Sequence, residues 1–194
     1  MSEAYDRVEV TSRAQWRAWL AQHHADTPGI WLVTVRKSAG AEHVPYADVV
    51  EEALCFGWVD SRPRVLDERR SMLLVTPRKA GSGWSRPNKE RIGRLEAAGL
   101  LAPAGRSVIE AARADGSWTA LDAVENLDEP PDLAAALDAD SDARRCWDAF
   151  PRSVKRGILE WIGTAKRPET RAKRIQDTAE KAARNERANQ WRSR

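Results

Sequence analysis

Cysteine, histidine and long apolar runs are scarce in this 194-residue sequence. The 2 cysteines, Cys55 and Cys146, each sit inside an apolar helical pattern, so buried thiols in a reducing compartment are expected rather than a disulfide framework. The 3 histidines, His23, His24 and His43, form no H-E-x-x-H, and the cysteines form no C-x-x-C, so no metal site is expected. His23 continues an apolar stripe and reads as a half-buried core histidine, while His24 reads as solvated. No apolar run approaches the roughly 18 residues of a membrane span. Met1 to Val10, with Glu3, Asp6, Arg7 and Glu9, has no apolar leader. A cytoplasmic protein without a membrane span follows as the expectation.

Charge, by contrast, is abundant and unevenly placed. The net +3 conceals balances of −4 in residues 1–60, +7 in 61–94, −9 in 95–142 and +9 in 143–194. Two basic blocks could present a positive surface to phosphates or nucleic acid. Alternatively, the acidic block between them neutralises one or both within the fold.

Periodicity divides the chain into an α+β part and a helical part. Val8 to Val10 alternates as a short strand, and Ser12 with Gln15 forms a capping box ahead of the Trp16, Trp19, Leu20, His23 stripe. Ile30 to Lys37 reads as a strand. In the helix opened by Pro45 and Tyr46, Val49, Val50, Ala53 and Leu54 share one face, Glu51 and Glu52 point outward, and Gly57 ends it. Trp58 to Leu66 and Ser71 to Thr76 read as paired strands across the Asp67–Arg70 turn. Helices follow at Asn88 to Ala98, Pro103 to Ala114, Asp132 to Leu137, Ser141 to Phe150, Pro151 to Ala165 and from Pro168, with a fraying tail at Asn185 to Arg194. The expected fold is a small antiparallel sheet with packed helices over residues 1–130, followed by a C-terminal helical module at 131–194.

The chemistry concentrates between the second hairpin strand and the next helix. Thr76, Arg78, Lys79, Ser82, Ser85 and Asn88 carry anion-binding groups, Gly81 and Gly83 allow close backbone approach, and Trp84 offers a ring for stacking. A helix N-terminus beyond them favours negative charge. The loop matches neither a Walker A sequence nor a G-x-S-x-G elbow, so Ser82 and Ser85 read as hydroxyl donors, not nucleophiles. No cofactor is expected. Upstream, Trp58, Asp60 and Arg62 alternate onto one strand face, placing a carboxylate beside guanidinium groups. An Asp60–arginine bridge pinning the hairpin, and an Arg78 paired with Asp60 or Asp67 beside a core Trp84, are equally open structural explanations.

ALCFGWVDS at Ala53–Ser61, TPRKAGSGWSRPN at Thr76–Asn88 and AKRPETRAKRI at Ala165–Ile175 resemble the YdeI/OmpD-associated (OmdA-type, bacteriocin-protection) family. The resemblance implies a role in protection against bacteriocins or antimicrobial peptides, or an association with an outer-membrane porin, and brings no reaction, cofactor or catalytic residue with it. Joined to the residue pattern, it leads to the expectation of a resistance protein binding an anionic, phosphorylated small molecule. The other readings are sequence-tolerant nucleic-acid binding by the two basic blocks, a hydrolase or transferase using Asp60 with the Thr76–Asn88 loop, and protein binding through the C-terminal helices.

Overall fold

The computed structural model describes residues 5–40 and 42–189, which form two compact units, Met1–Ala120 and Leu121–Arg194. The charged start of the chain and the expected fraying tail fall partly on residues 1–4 and 190–194, outside the described residues.

In the first unit the order is β1 (Asp6–Glu9), α1 (Arg13–His23), β2 (Ile30–Val35), α2 (Tyr46–Cys55), β3 (Trp58–Val65), β4 (Arg70–Pro77), α3 (Arg86–Ala97) and α4 (Pro103–Ala114). The sheet runs β1-β2-β4-β3. Both β4 pairings are antiparallel, as expected, but β1 lies parallel to β2 and makes the sheet mixed. The cause is α1: a helix between two strands carries the chain back to the starting end, and parallel neighbours need such a crossover. Ser12 Oγ caps α1 by accepting from the Gln15 amide at 3.2 Å, while Gln15 Oε1 accepts from the Thr11 amide at 2.9 Å. The two histidines at the end of α1 exchange the environments expected of them. His23 is exposed against the Trp19 ring, and His24 is half-buried with Nδ1 on the Leu20 carbonyl at 2.8 Å.

Trp16, Leu20, Ile30, Leu32, Leu54, Trp58, Val75, Trp84 and Ile92 form the core of this unit. Glu52, expected to point outward, is only 2% exposed. Arg13 and Arg17 of α1 reach it at 2.6 and 2.7 Å, so its charge is buried but paired on both carboxylate oxygens. The helical period of α2 alone shows one apolar face; the second covered face arises because α1 lies against it. Gly57 has φ +75°, the left-handed conformation that ends α2 and turns the chain into β3.

The second unit contains α5 (Asp122–Asn126), α6 (Pro131–Asp138), α7 (Ser141–Ala149), α8 (Arg152–Gly163) and α9 (Pro168–Ala183) around Leu133, Leu137, Trp147, Ile158 and Ile162. The short α5 has no sequence counterpart in the expected elements. Acidic-block residues partner the basic block here: Arg144 meets Glu129 at 2.9 Å and Asp138 at 2.7 Å, Arg156 meets Glu125 at 3.0 Å, and Arg171 meets Asp132 at 2.7 Å. Glu129 also accepts from Trp147 Nε1 at 2.6 Å, tying this ion-pair network to the core.

Candidate functional site

The loop after β4 is anchored at its first residue, where the Arg78 amide donates to the Gly57 carbonyl at 2.9 Å. Its guanidinium lies 3.7 Å over the Trp84 ring, and Nη2 donates to the Gly83 carbonyl. Nε and Nη1 are buried and have no hydrogen-bond partner. Burial pulls the Arg78 pKa down to about 10, against the opposing field of Asp60. The group therefore keeps its charge at neutral pH, and the fold carries that charge inward without a carboxylate in contact.

Trp84 is 1% exposed, with Arg78 on its ring and Trp118 5.2 Å from it, so it has no open face for a ligand ring. Ser82 Oγ donates to the Lys79 carbonyl at 2.6 Å, closing the turn. From α4 and the residues after it come Val108, Asp115 and Ser117. Hydrogen bonds from the Ser117 amide, at 2.8 Å, and from the Gly81 amide hold the Asp115 carboxyl below the usual carboxylate range. Arg78, Lys79, Gly81, Ser82 and Trp84 line one side of a hollow of about 100 Å³, and the α4 end lines the other.

Four of the ten expected residues, Arg78, Lys79, Ser82 and Trp84, thus meet in one hollow. The other six lie elsewhere. Trp58 is a core residue whose Nε1 donates to the His24 carbonyl at 3.2 Å. Thr76 is half-buried opposite Val59 in the hairpin. Ser85 is the N-cap of α3 but makes no side-chain capping bond, and Asn88 accepts from Arg91 at 3.1 Å. Asp67 is held by Arg70 at 2.8 Å and so is no partner for Arg78.

Asp60 and Arg62 are separated by a β-bulge. Asp60 pairs with Val75 and Pro63 with Leu73, so three steps on β3 meet two on β4. The extra residue breaks the alternation that would have set Arg62 beside Asp60. Arg62 is exposed, and Arg64 crosses to the Trp31 ring at 4.9 Å. Asp60 instead accepts from the Tyr46 hydroxyl at 2.7 Å and lines a different cavity, between α2 and the sheet. Partial burial and this bond raise the Tyr46 pKa to about 12. With 57% of the residue exposed, the bond to the carboxylate is the firmer cause. Because the folded value is above the unfolded one, the stabilisation is complete below about pH 10 and is lost as pH rises toward 12. Spectrophotometric titration should show one tyrosine ionising near pH 12, and Asp60→Asn should bring it back toward its ordinary value.

Residues 8–108 match a family model for a domain of unknown function (DUF8412), and residues 126–185 match the OmdA model, "Bacteriocin-protection, YdeI or OmpD-Associated". The first match covers more than half of the chain, which belongs to that domain family and carries in its C-terminal unit the domain of the YdeI/OmpD-associated, bacteriocin-protection family. ALCFGWVDS and TPRKAGSGWSRPN fall within the first match and AKRPETRAKRI within the second. No curated protein and no solved structure gives a significant match. Among the described residues, no helix is long and apolar enough to cross a membrane.

Proposed function

We propose that the protein serves in bacteriocin or stress resistance as a cytoplasmic binding protein that holds the acidic group of a small anionic molecule in the Arg78 hollow. The observation that supports this is the guanidinium itself, buried with Nε and Nη1 unpartnered beside a cavity whose other basic side chain is Lys79. A buried charge without a counter-charge is costly, and an incoming anion relieves that cost. At about 100 Å³ the hollow admits a phosphate or carboxylate group and leaves the remainder of a larger ligand outside. Asp115 at the same wall repels a second negative charge, so a singly charged group bearing a hydroxyl fits better than a bare dianion.

Two other readings have less behind them. Nucleic-acid binding by the C-terminal basic block loses force where Arg144, Arg156 and Arg171 are engaged by carboxylates of the same unit. A hydrolase pairing Asp60 with the loop is disfavoured because Asp60 and Arg78 line separate cavities.

Thermal unfolding of the full chain in phosphate, sulfate, phosphorylated sugars and hydroxycarboxylates tests the proposal. A bound member of the set should stabilise by about 2.7 kcal/mol at a hundredfold excess over its dissociation constant. Arg78→Met should abolish that gain while leaving ligand-free stability within about 1 kcal/mol, since losing the stacked cation is offset by losing a buried, unpaired charge. No stabilisation of the wild type by any anion would remove the reading.

A further inference from the structure

The cavity that holds Asp60 is larger than the Arg78 hollow, at about 350 Å³, and its chemistry is of the opposite sign. Leu32 of β2, Leu73 of β4 and Val44 before α2 give it an apolar wall, while Asp60, Tyr46 and His43 supply polar groups. This is the size of a small-molecule site, mostly apolar with a few placed polar groups. The geometry points to a second binding site, for a small amphipathic cation: an ammonium group against Asp60 and its hydrocarbon part against Leu32 and Leu73. This inference goes beyond the anion proposal and is independent of it.

Three observations carry it. First, the bulge after Asp60 takes Arg62 out of the strand alternation, and Arg78 acts on the Asp60 carboxylate only through its field, its guanidinium lying on the Trp84 ring. Second, the Tyr46 hydroxyl is the one side-chain donor bonded to that carboxylate among the described residues. One neutral donor leaves most of a carboxylate's acceptor capacity free. Third, His43 Nδ1 lies 2.8 Å from the Val35 carbonyl, which can only accept. Nδ1 must therefore carry the proton, and in the neutral ring Nε2 remains an acceptor. A carboxylate and an imidazole acceptor beside an apolar wall select a donor-rich, positively charged head.

The test uses the full chain and three probes of one shape: n-hexylamine, 1-hexanol and hexanoate, titrated and followed by NMR shifts of residues around the cavity. Hexylamine is expected to bind saturably, 1-hexanol at least about tenfold more weakly, and hexanoate not at all, as expected from the loss of one charge-assisted contact. Asp60→Asn, nearly isosteric, should weaken hexylamine about tenfold or more. Tyr46→Phe keeps the wall, frees the carboxylate further and should bind hexylamine at least as well as the wild type. Arg78→Met, which removes a cation whose field reaches Asp60, should leave hexylamine binding at least as tight as in the wild type while anion-dependent stabilisation is lost, separating this site from the anion site. Equal binding of hexylamine by Asp60→Asn and wild type, equal binding of hexanoate, or no saturable shift with hexylamine would each overturn the assignment.

Discussion

Trp84→Ala is expected to destabilise the protein by about 3 to 5 kcal/mol, the range for deleting a large buried aromatic side chain. Trp84 is 1% exposed, with the Trp118 ring 5.2 Å and the Arg78 guanidinium 3.7 Å from its own ring. Removing it leaves a cavity and also strips a buried cation of the surface it lies on. The loss should therefore shrink when Arg78→Met is already present, by the worth of the stack, about 2 kcal/mol for a desolvated pair. Trp84→Phe retains a ring and should cost clearly less. Urea unfolding of the four variants, read as midpoint and slope, measures all of this. A loss near zero for Trp84→Ala would mean that the indole is a surface platform after all.

Gly105→Ala is expected to cost about 3 kcal/mol through overpacking against backbone. A Cβ at Gly105 would lie 2.2 Å from the Cys55 carbonyl oxygen and 2.7 Å from its carbon. The same carbonyl accepts from the Ala102 amide at 3.0 Å, so the start of α4 is bonded to the end of α2 where the two backbones touch. No rotamer change relieves such a clash; α4 must lift. Since α4 brings Val108 and Asp115 to the hollow, anion-dependent stabilisation should weaken as well. Gly93→Ala is the control of opposite sign. Gly93 lies inside α3 with nothing within 4 Å of a built Cβ, so the change should stabilise by about 1 kcal/mol through helix propensity.

Local patterns in the sequence were sufficient for the parts of the fold that local forces decide. The α4 boundaries, the Ser12 cap, the Gly57 terminus and the β3–β4 hairpin all follow from periodicity, capping chemistry and turn residues a few positions apart. What stayed hidden depends on neighbours distant in sequence. Glu52 reads as solvated until Arg13 and Arg17, 39 and 35 residues away, come to meet it. The parallel pairing of β1 depends on where α1 returns the chain, not on the strand's own residues.

The site was partly legible for the same reason. Arg78, Lys79, Ser82 and Trp84 share one turn, so their convergence is a local matter. Strand alternation sets Arg62 beside Asp60, but a single bulge residue, with no distinctive signature in SRPR, breaks that alternation, and Asp60 lines another cavity with Tyr46. The meeting of Tyr46 and His43 with Asp60 has no local signature, because it arises only where the segment leading into α2 lies over the sheet. The one available hint was a tyrosine at the exposed start of a helix, which is too common to single out.

A crystal structure of the full chain soaked in phosphate addresses the Arg78 site most directly. The expected result is an ordered anion within hydrogen-bond distance of Arg78 Nε or Nη1, with Lys79 or Ser82 nearby. A guanidinium still sealed against Trp84, with no anion in the hollow at saturating phosphate, would contradict the proposed role.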